Sequence, residues 1–214
     1  MHSAGIVVSP YDSHTVALER DCTSGIGGGV TIYDDSVPRP HAVYIDGSSP
    51  RIFAFGGLPS VMYGFGGGSF FTLTLDASGA TASTPLSNAG SADTEMLYLN
   101  GRLYSTSGAV YDPVARAQVP RLPGYPSGVS SIAANADGHT LYTFSSDRRS
   151  VAAFDLVHGT FIGEVAIPGP SAIGQQLVRW GTDGVAFISN EGSTVLQRLN
   201  GGNVYLVRTD LVQQ

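Results

Sequence analysis

The chain has 214 residues, 42% of them apolar, and a net charge of −6, which suits one all-β domain or at most two small ones and argues against nucleic-acid binding by phosphate neutralisation. It contains no lysine, its 11 cations all being arginine, so Schiff-base chemistry, Ser-Lys nucleophiles and a P-loop lysine are excluded. No apolar run approaches the roughly 18–20 residues that span a bilayer, so no membrane partner is expected.

The start, "MHSAGIVVSPYDSH", lacks a basic opening and a long apolar core, so no signal peptide is read there. A cytoplasmic location is the default expectation, or an exported one if a leader has been lost. Period-2 alternation of apolar and polar residues then dominates, broken by Asp-Gly, Asn-Gly and Gly-Gly steps that favour tight hairpins. A first unit reads "AGIVVSPYDSHTVALERD…GGGVTIYDDSVPRP". A second reads "HAVYIDGSSPRIFAFGG…SFFTLTLDASGATASTPLS", and a short third "EMLYLNGRLYSTSGAVYDPVARAQVPRLP". The fourth covers residues 129–169, including "IAANADGHTLYTFSSDRRSVAAFDLVHGTFIGEVAIPG". The fifth reads "QQLVRWGTDGVAFISNEG…NVYLVRTDLV". Sustained helical periodicity is absent. A period of about 40 residues means a propeller or solenoid, and four strands per unit selects the propeller.

"SPYDSHTVAL" and "NADGHTLYTF…RRSVAAFDLVHGTFIGEVAIP" resemble the repeats of YVTN-type bacterial β-propellers. There an Asp-Gly hairpin precedes a strand that ends in Ile-Asp-Leu and a Gly turn. The fit is best in the fourth unit and weakest in the second and third. The resemblance implies architecture and transfers no catalytic residue, since relatives on this fold include lactonases, other small-molecule hydrolases, binders and scaffolds.

The fold expected is therefore all-β: a single propeller of about five four-stranded blades at roughly 1–40, 41–90, 91–127, 128–170 and 171–214. The fifth unit ends at "LVRTDLVQQ" with no evident fourth strand. Three readings follow: a five-bladed ring with an incomplete last blade, a fragment of a larger propeller, or an open edge that pairs with another copy to give a homodimer.

In a propeller the links between blades and the second-to-third-strand loops share one face. That face collects Glu19, Asp21 and Cys22 in the first unit, His41 entering the second, and Asp93 and Glu95 entering the third. It also collects Asp147, Arg148 and Arg149 in the fourth and Glu191 in the fifth. His41, Glu95 and Gln176 fall near the starts of inner strands, facing the channel mouth. Carboxylates around a funnel suit a hard cation such as Ca²⁺, with Asp21, Asp93, Glu95, Asp147 and Glu191 as candidate ligands. A bound cation could polarise a lactone or ester carbonyl while His41 or Glu95 serves as general base for water.

Each of these acids is also an ordinary loop residue, and no D-x-D-x-D-G loop is present. Asp46, Asn100, Asp137 and Asp183 lie in hairpin turns, where Asp and Asn cap their own backbone. The lone Cys22 forms no intrachain disulfide and is more often inert than nucleophilic. His14, His139 and His158 fall in exposed turns, no zinc spacing occurs, and Trp180 reads as packing or a channel plug. A small-molecule lactone or ester hydrolase, cation-assisted, is the sharper expectation. A non-catalytic binding or scaffolding propeller is its rival.

Overall fold

The computed structural model describes residues 2–21, 29–44, 52–66, 69–83, 86–87, 94–167, 173–190 and 203–212. Among them are 21 strands in five antiparallel sheets and one 3-10 turn, Asp210–Val212.

The first sheet runs β1 (His2–Val8), β2 (Thr15–Asp21), β3 (Gly29–Asp34), β4 (Val37–Pro38) in sequence order. Its strands sort by parity, as pleated backbone requires. Val7, Ala17 and Ile32 stand in one row and face the core, whereas Val8, Val16 and Tyr33 stand in the next row on the opposite face. Asp12 ties the β1–β2 turn by accepting the His14 amide at 3.0 Å and the Thr15 hydroxyl at 3.1 Å.

The second sheet contains β6 (Ile52–Phe55), β7 (Val61–Gly66), β8 (Ser69–Asp76), β9 (Gly79–Ala82) and β10 (Leu86–Ser87). Here the strands fall one step later than the repeat pattern suggests. Within "HAVYI", β5 (Val43–Tyr44) pairs with Gly29 and Val30 of β3, in the first sheet. The opening hairpin of the second sheet is β6–β7. It closes through Leu58-Pro59, with the Gly56 amide on the Val61 carbonyl at 2.8 Å. Alternation announces that a strand exists; it does not choose the partner. Asp46, the turn residue expected there, lies outside the described residues.

The remaining sheets follow the sequence pattern. The third is β11 (Met96–Leu99), β12 (Arg102–Ser105), β13 (Val110–Asp112), β14 (Ala117–Val119). Asn100 and Gly101 turn β11 into β12 with φ of 50° and 82°, the pair of left-handed residues that a two-residue hairpin demands. The fourth is β15 (Val129–Ala134), β16 (Thr140–Ser145), β17 (Ser150–Asp155), β18 (Thr160–Ala166). The fifth is β19 (Ile173–Trp180), β20 (Gly184–Asn190), β21 (Asn203–Arg208), and no fourth strand pairs with β21 among the described residues.

The chain packs as two compact units, Met1–Leu103 with Tyr111–Gln118, and Tyr104–Val110 with Val119–Gln214. In the first, Ala17, Val30 and Ile32 of the first sheet pack on Phe53, Phe55, Met62 and Leu73 of the second. In the second, Tyr142, Phe144, Val151 and Ala153 of the fourth sheet pack on Leu177, Val185 and Phe187 of the fifth. Every one of these side chains is under a tenth exposed. Burial of each large one is worth about 1.5–3 kcal/mol relative to leaving it in water.

Arg39 clamps the first unit. Its Nε donates to Asp34 Oδ2 at 2.7 Å, a second guanidinium nitrogen to Asp34 Oδ1 at 3.0 Å, and the third to the Asp76 carbonyl at 2.7 Å. These bonds, with the Thr15 hydroxyl at 2.6 Å, hold the Asp34 carboxyl down at about 2, from 3.8. A carboxyl depressed by folding stabilises the fold above its unfolded value and loses that stabilisation as pH falls through the folded one. Asp34→Asn is expected to cost about 1 kcal/mol at pH 7, after allowing for solvent screening of a side chain 43% exposed. The gap between wild type and variant should close between pH 4 and 2, in urea melts taken across that range. A gap that is constant with pH would show that the charge on Asp34 contributes nothing to stability.

Candidate functional site

The structure places the sequence-predicted residues as follows. His41 is exposed, and its main chain is stitched to the β8–β9 turn. Its amide donates to the Ser78 carbonyl at 2.7 Å, and its carbonyl accepts from the Ala80 amide at 3.3 Å. It thus joins the first sheet to the second, ahead of β5, and does not begin an inner strand. Glu95 is half-buried just before β11 and is engaged with a neighbour. Asp147 is exposed in the β16–β17 turn, its carboxyl pressed so closely on Gly128 that a Cβ there would sit 2.1 Å from it. Asp21 ends β2. Asp93, Glu191 and Cys22 lie outside the described residues, as do residues 24–28 of the "SGIGGG" run. Among the described residues, no three His, Cys, Asp or Glu side chains gather as a cation site would require. Gln176 is exposed at an irregularity of β19, with φ of 55°.

A different group is built at the hairpin end of the first sheet. Thr15 stands opposite Asp34 in the β2–β3 ladder, so one step outward His14 meets Asp35. His14 Nδ1 and Asp35 Oδ1 lie 2.5 Å apart. The hydrogen bond to that carboxylate raises the imidazole above its ordinary value. The pair edges an open recess of about 410 Å³ whose floor is Val16, Leu18 and Tyr33, with Ser13 and Ser36 at the rim. A second imidazole–carboxylate pair, His158 Nδ1 to Asp155 Oδ2 at 2.6 Å, closes its own turn in the fourth sheet, and the bond lowers Asp155. Sequence reading placed both histidines in turns and stopped there. The cross-strand register would have paired His14 with Asp35, because the two turns follow strands that are themselves neighbours.

Apolar exposure is the other feature. Ile6 and Val8 of β1 are 63% and 57% exposed, on the same face of the first sheet as the recess. On the fifth sheet, Val204 and Leu206 of β21 are 67% and 54% exposed, beside Val178, Trp180 and Ile188. Trp180, expected to pack or plug, instead lies half-open on this face with the Arg208 guanidinium 5.4 Å from its ring centre. No helix among the described residues is long and apolar enough to cross a membrane.

No protein-family model matches the sequence, and no curated protein matches it. Among solved structures, one that resembles the chain is Kuenenia stuttgartiensis hydrazine synthase, with a TM-score of 0.69 over 96% of this chain at 19% identity. The match takes in 62% of that other chain, so the present chain spans about three fifths of its length. At that identity the likeness concerns the fold alone, and together with the five antiparallel sheets it gives the chain the fold of a five-bladed β-propeller.

Proposed function

We propose that this chain is a binding propeller, a non-catalytic module that engages a partner through apolar sheet faces. The observation that carries the reading is the uncovered face of the fifth sheet, where Val178, Trp180, Val204 and Leu206 stand together in solvent. A contiguous apolar surface of that kind marks an interaction site far more often than it marks idle surface. The test is binding of an anilinonaphthalene sulfonate dye. Dye fluorescence should rise with the wild-type chain and fall by about half or more with Val204→Glu/Leu206→Glu, at an unchanged circular dichroism spectrum. Wild-type protein that leaves the dye dark would refute the reading.

A second reading, hydrolysis of a small lactone or ester, is favoured by the His14–Asp35 pair over its recess. An imidazole oriented by a carboxylate is the usual general base for water, and Ser13 borders the same space. The resemblance of the repeats to YVTN-type propellers, some of which are lactonases, agrees with it. In the cation-assisted form, His41 and Glu95 act as base while Asp21, Asp93, Glu95, Asp147 and Glu191 hold Ca²⁺. Proton release from a panel of lactones and esters, with Ca²⁺ and then with EDTA, separates the possibilities. Turnover abolished by His14→Ala, and rising with pH as the imidazole loses its proton, places the chemistry in the recess. Turnover abolished by EDTA, His41→Ala and Glu95→Gln places it at the channel mouth. No turnover on any substrate leaves the binding reading alone.

A further inference from the structure

A strand at the end of a sheet carries a row of main-chain N–H and C=O groups that can template another strand. In this chain most such strands are short or kinked. β4, β6, β10, β11 and β14 have four residues or fewer. β1, β15, β18 and β19 are each bulged against their neighbour, and a bulge twists an edge away from further pairing. Among the described strands that end a sheet, β21 alone is both long and regular. It has six residues in unbroken register with β20, and none of them is proline or acidic. Its main chain can be assigned residue by residue. The Thr209 amide donates to the Asp183 carbonyl at 3.0 Å, one step past the Arg208–Gly184 pair. Antiparallel ladders alternate, so Asn203, Tyr205 and Val207 turn their main-chain groups to β20, and Val204, Leu206 and Arg208 turn theirs outward.

From this we infer that the outward edge of β21 pairs with the same edge of a second copy of this chain, antiparallel across a two-fold axis at Leu206. The inference concerns the edge of the fifth sheet, not its face, and goes beyond the binding reading without resting on it. The strand itself selects the second copy and the register. With the axis at Leu206, that residue meets its own counterpart and Val204 meets the second copy's Arg208. Every outward N–H and C=O from Val204 to Arg208 then finds a partner. An axis at Arg208 would set two guanidinium groups opposite each other. An axis at Val204 would carry Leu206 past Asn203, the first residue of the strand. On the face that packs on Phe187, Tyr205 falls opposite the second copy's Val207, a ring against a β-branched chain. On the other face, Val204 and Leu206, 67% and 54% exposed, each gain a neighbour from the second copy. The Arg208 guanidinium stays with Asp183 at 3.8 Å and over Trp180. Such a contact is isologous, so it closes at two copies.

Sedimentation velocity on the full chain from about 1 to 200 µM is the first measurement. Mass should rise with concentration from the 22.2 kDa of one chain to that of two, and no higher. Leu206→Lys and Leu206→Glu each set like charges face to face on the axis, and each should weaken the dimer by about tenfold or more. Their circular dichroism should match wild type, since Leu206 is more than half exposed. Mixed in equal amounts, the two variants set opposite charges face to face and should pair again. The mixture decides the register, because a structural loss in either variant would not be repaired by the other. A wild-type chain that stays at one-chain mass overturns the inference. So does growth beyond two chains, a dimer that both variants leave intact, or a mixture that fails to pair. A chain that stays single but brightens the dye loses the second copy and keeps the binding reading. A chain that dimerises and leaves the dye dark keeps the second copy and loses that reading.

Discussion

Gly79→Ala is expected to destabilise the first unit by about 3–5 kcal/mol, whereas Gly101→Ala costs about 1. Both glycines have positive φ, 137° and 82°, so both substitutions force an L side chain into backbone it adopts rarely. They differ in what a methyl group would meet. At Gly101 nothing lies within 4 Å. At Gly79 the new Cβ would stand 1.9 Å from the His41 carbonyl oxygen and 2.8 Å from its carbonyl carbon. Those are main-chain atoms, which cannot swing aside as a side-chain tip does. Relief means pulling His41 off the turn, with loss of its bonds to Ser78 and Ala80. The Asp76 carboxylate, lowered by the hydroxyl and amide of Ser78, holds the same turn from below. Thermal melts by circular dichroism should separate the two variants by about 10 °C, at about 2–4 °C per kcal/mol for a chain of this size. Equal melting points would mean that His41 is not anchored by this contact. If His41 is the general base, Gly79→Ala also lowers turnover of the protein that remains folded.

The strands were legible because burial has a period. Alternating rows such as Leu73, Thr74, Leu75 and Asp76 betray β-structure without any partner in view, and Asn100-Gly101 or Asp137-Gly138 betrays the hairpin. Partner choice was less legible. "HAVYI" has the pattern of an inner strand, yet Val43 and Tyr44 add to β3, since alternation is satisfied equally well on either neighbour. The site was less legible still. His14 and Asp35 are 21 positions apart, and each alone is an unremarked turn residue. Only the Thr15–Asp34 register makes them a pair. Trp180 misled for a related reason. It ends an apolar strand, so packing was the natural expectation, but residue identity does not say whether a neighbouring sheet exists to pack against. The faces of the first and fifth sheets are apolar in the sequence just as buried faces are, and exposure became visible only in three dimensions.

Phe187→Ala carries the other large effect, a loss of about 3–5 kcal/mol from the second unit. Phe187 is 3% exposed, its ring centre 4.4 Å from Phe144 and 5.3 Å from Tyr205, the latter stacked within 8° of parallel. It therefore joins the fourth sheet to the fifth and β20 to β21 with one side chain. Its neighbours Val185 and Leu177 sit on hydrogen-bonded strands, which cannot collapse into the space an alanine leaves. Most of the cavity should remain, and with it the full cost. Phe187→Leu keeps most of the volume and should lose about 1–1.5 kcal/mol. Circular dichroism in urea follows this core, since Trp180, the chain's only tryptophan, stands on the opposite, half-open face of the sheet. The comparison with Val204→Glu/Leu206→Glu is what ties stability to function. Those residues occupy the opposite face, already in water, and their substitution should leave the urea midpoint within about 0.5 kcal/mol of wild type while removing dye binding. Phe187→Ala should lower the midpoint and weaken dye binding only as far as the fifth sheet loses its support. If the surface pair destabilised the chain as much as the core residue does, the forward face would be part of the core, and the surface proposed for a partner would not exist.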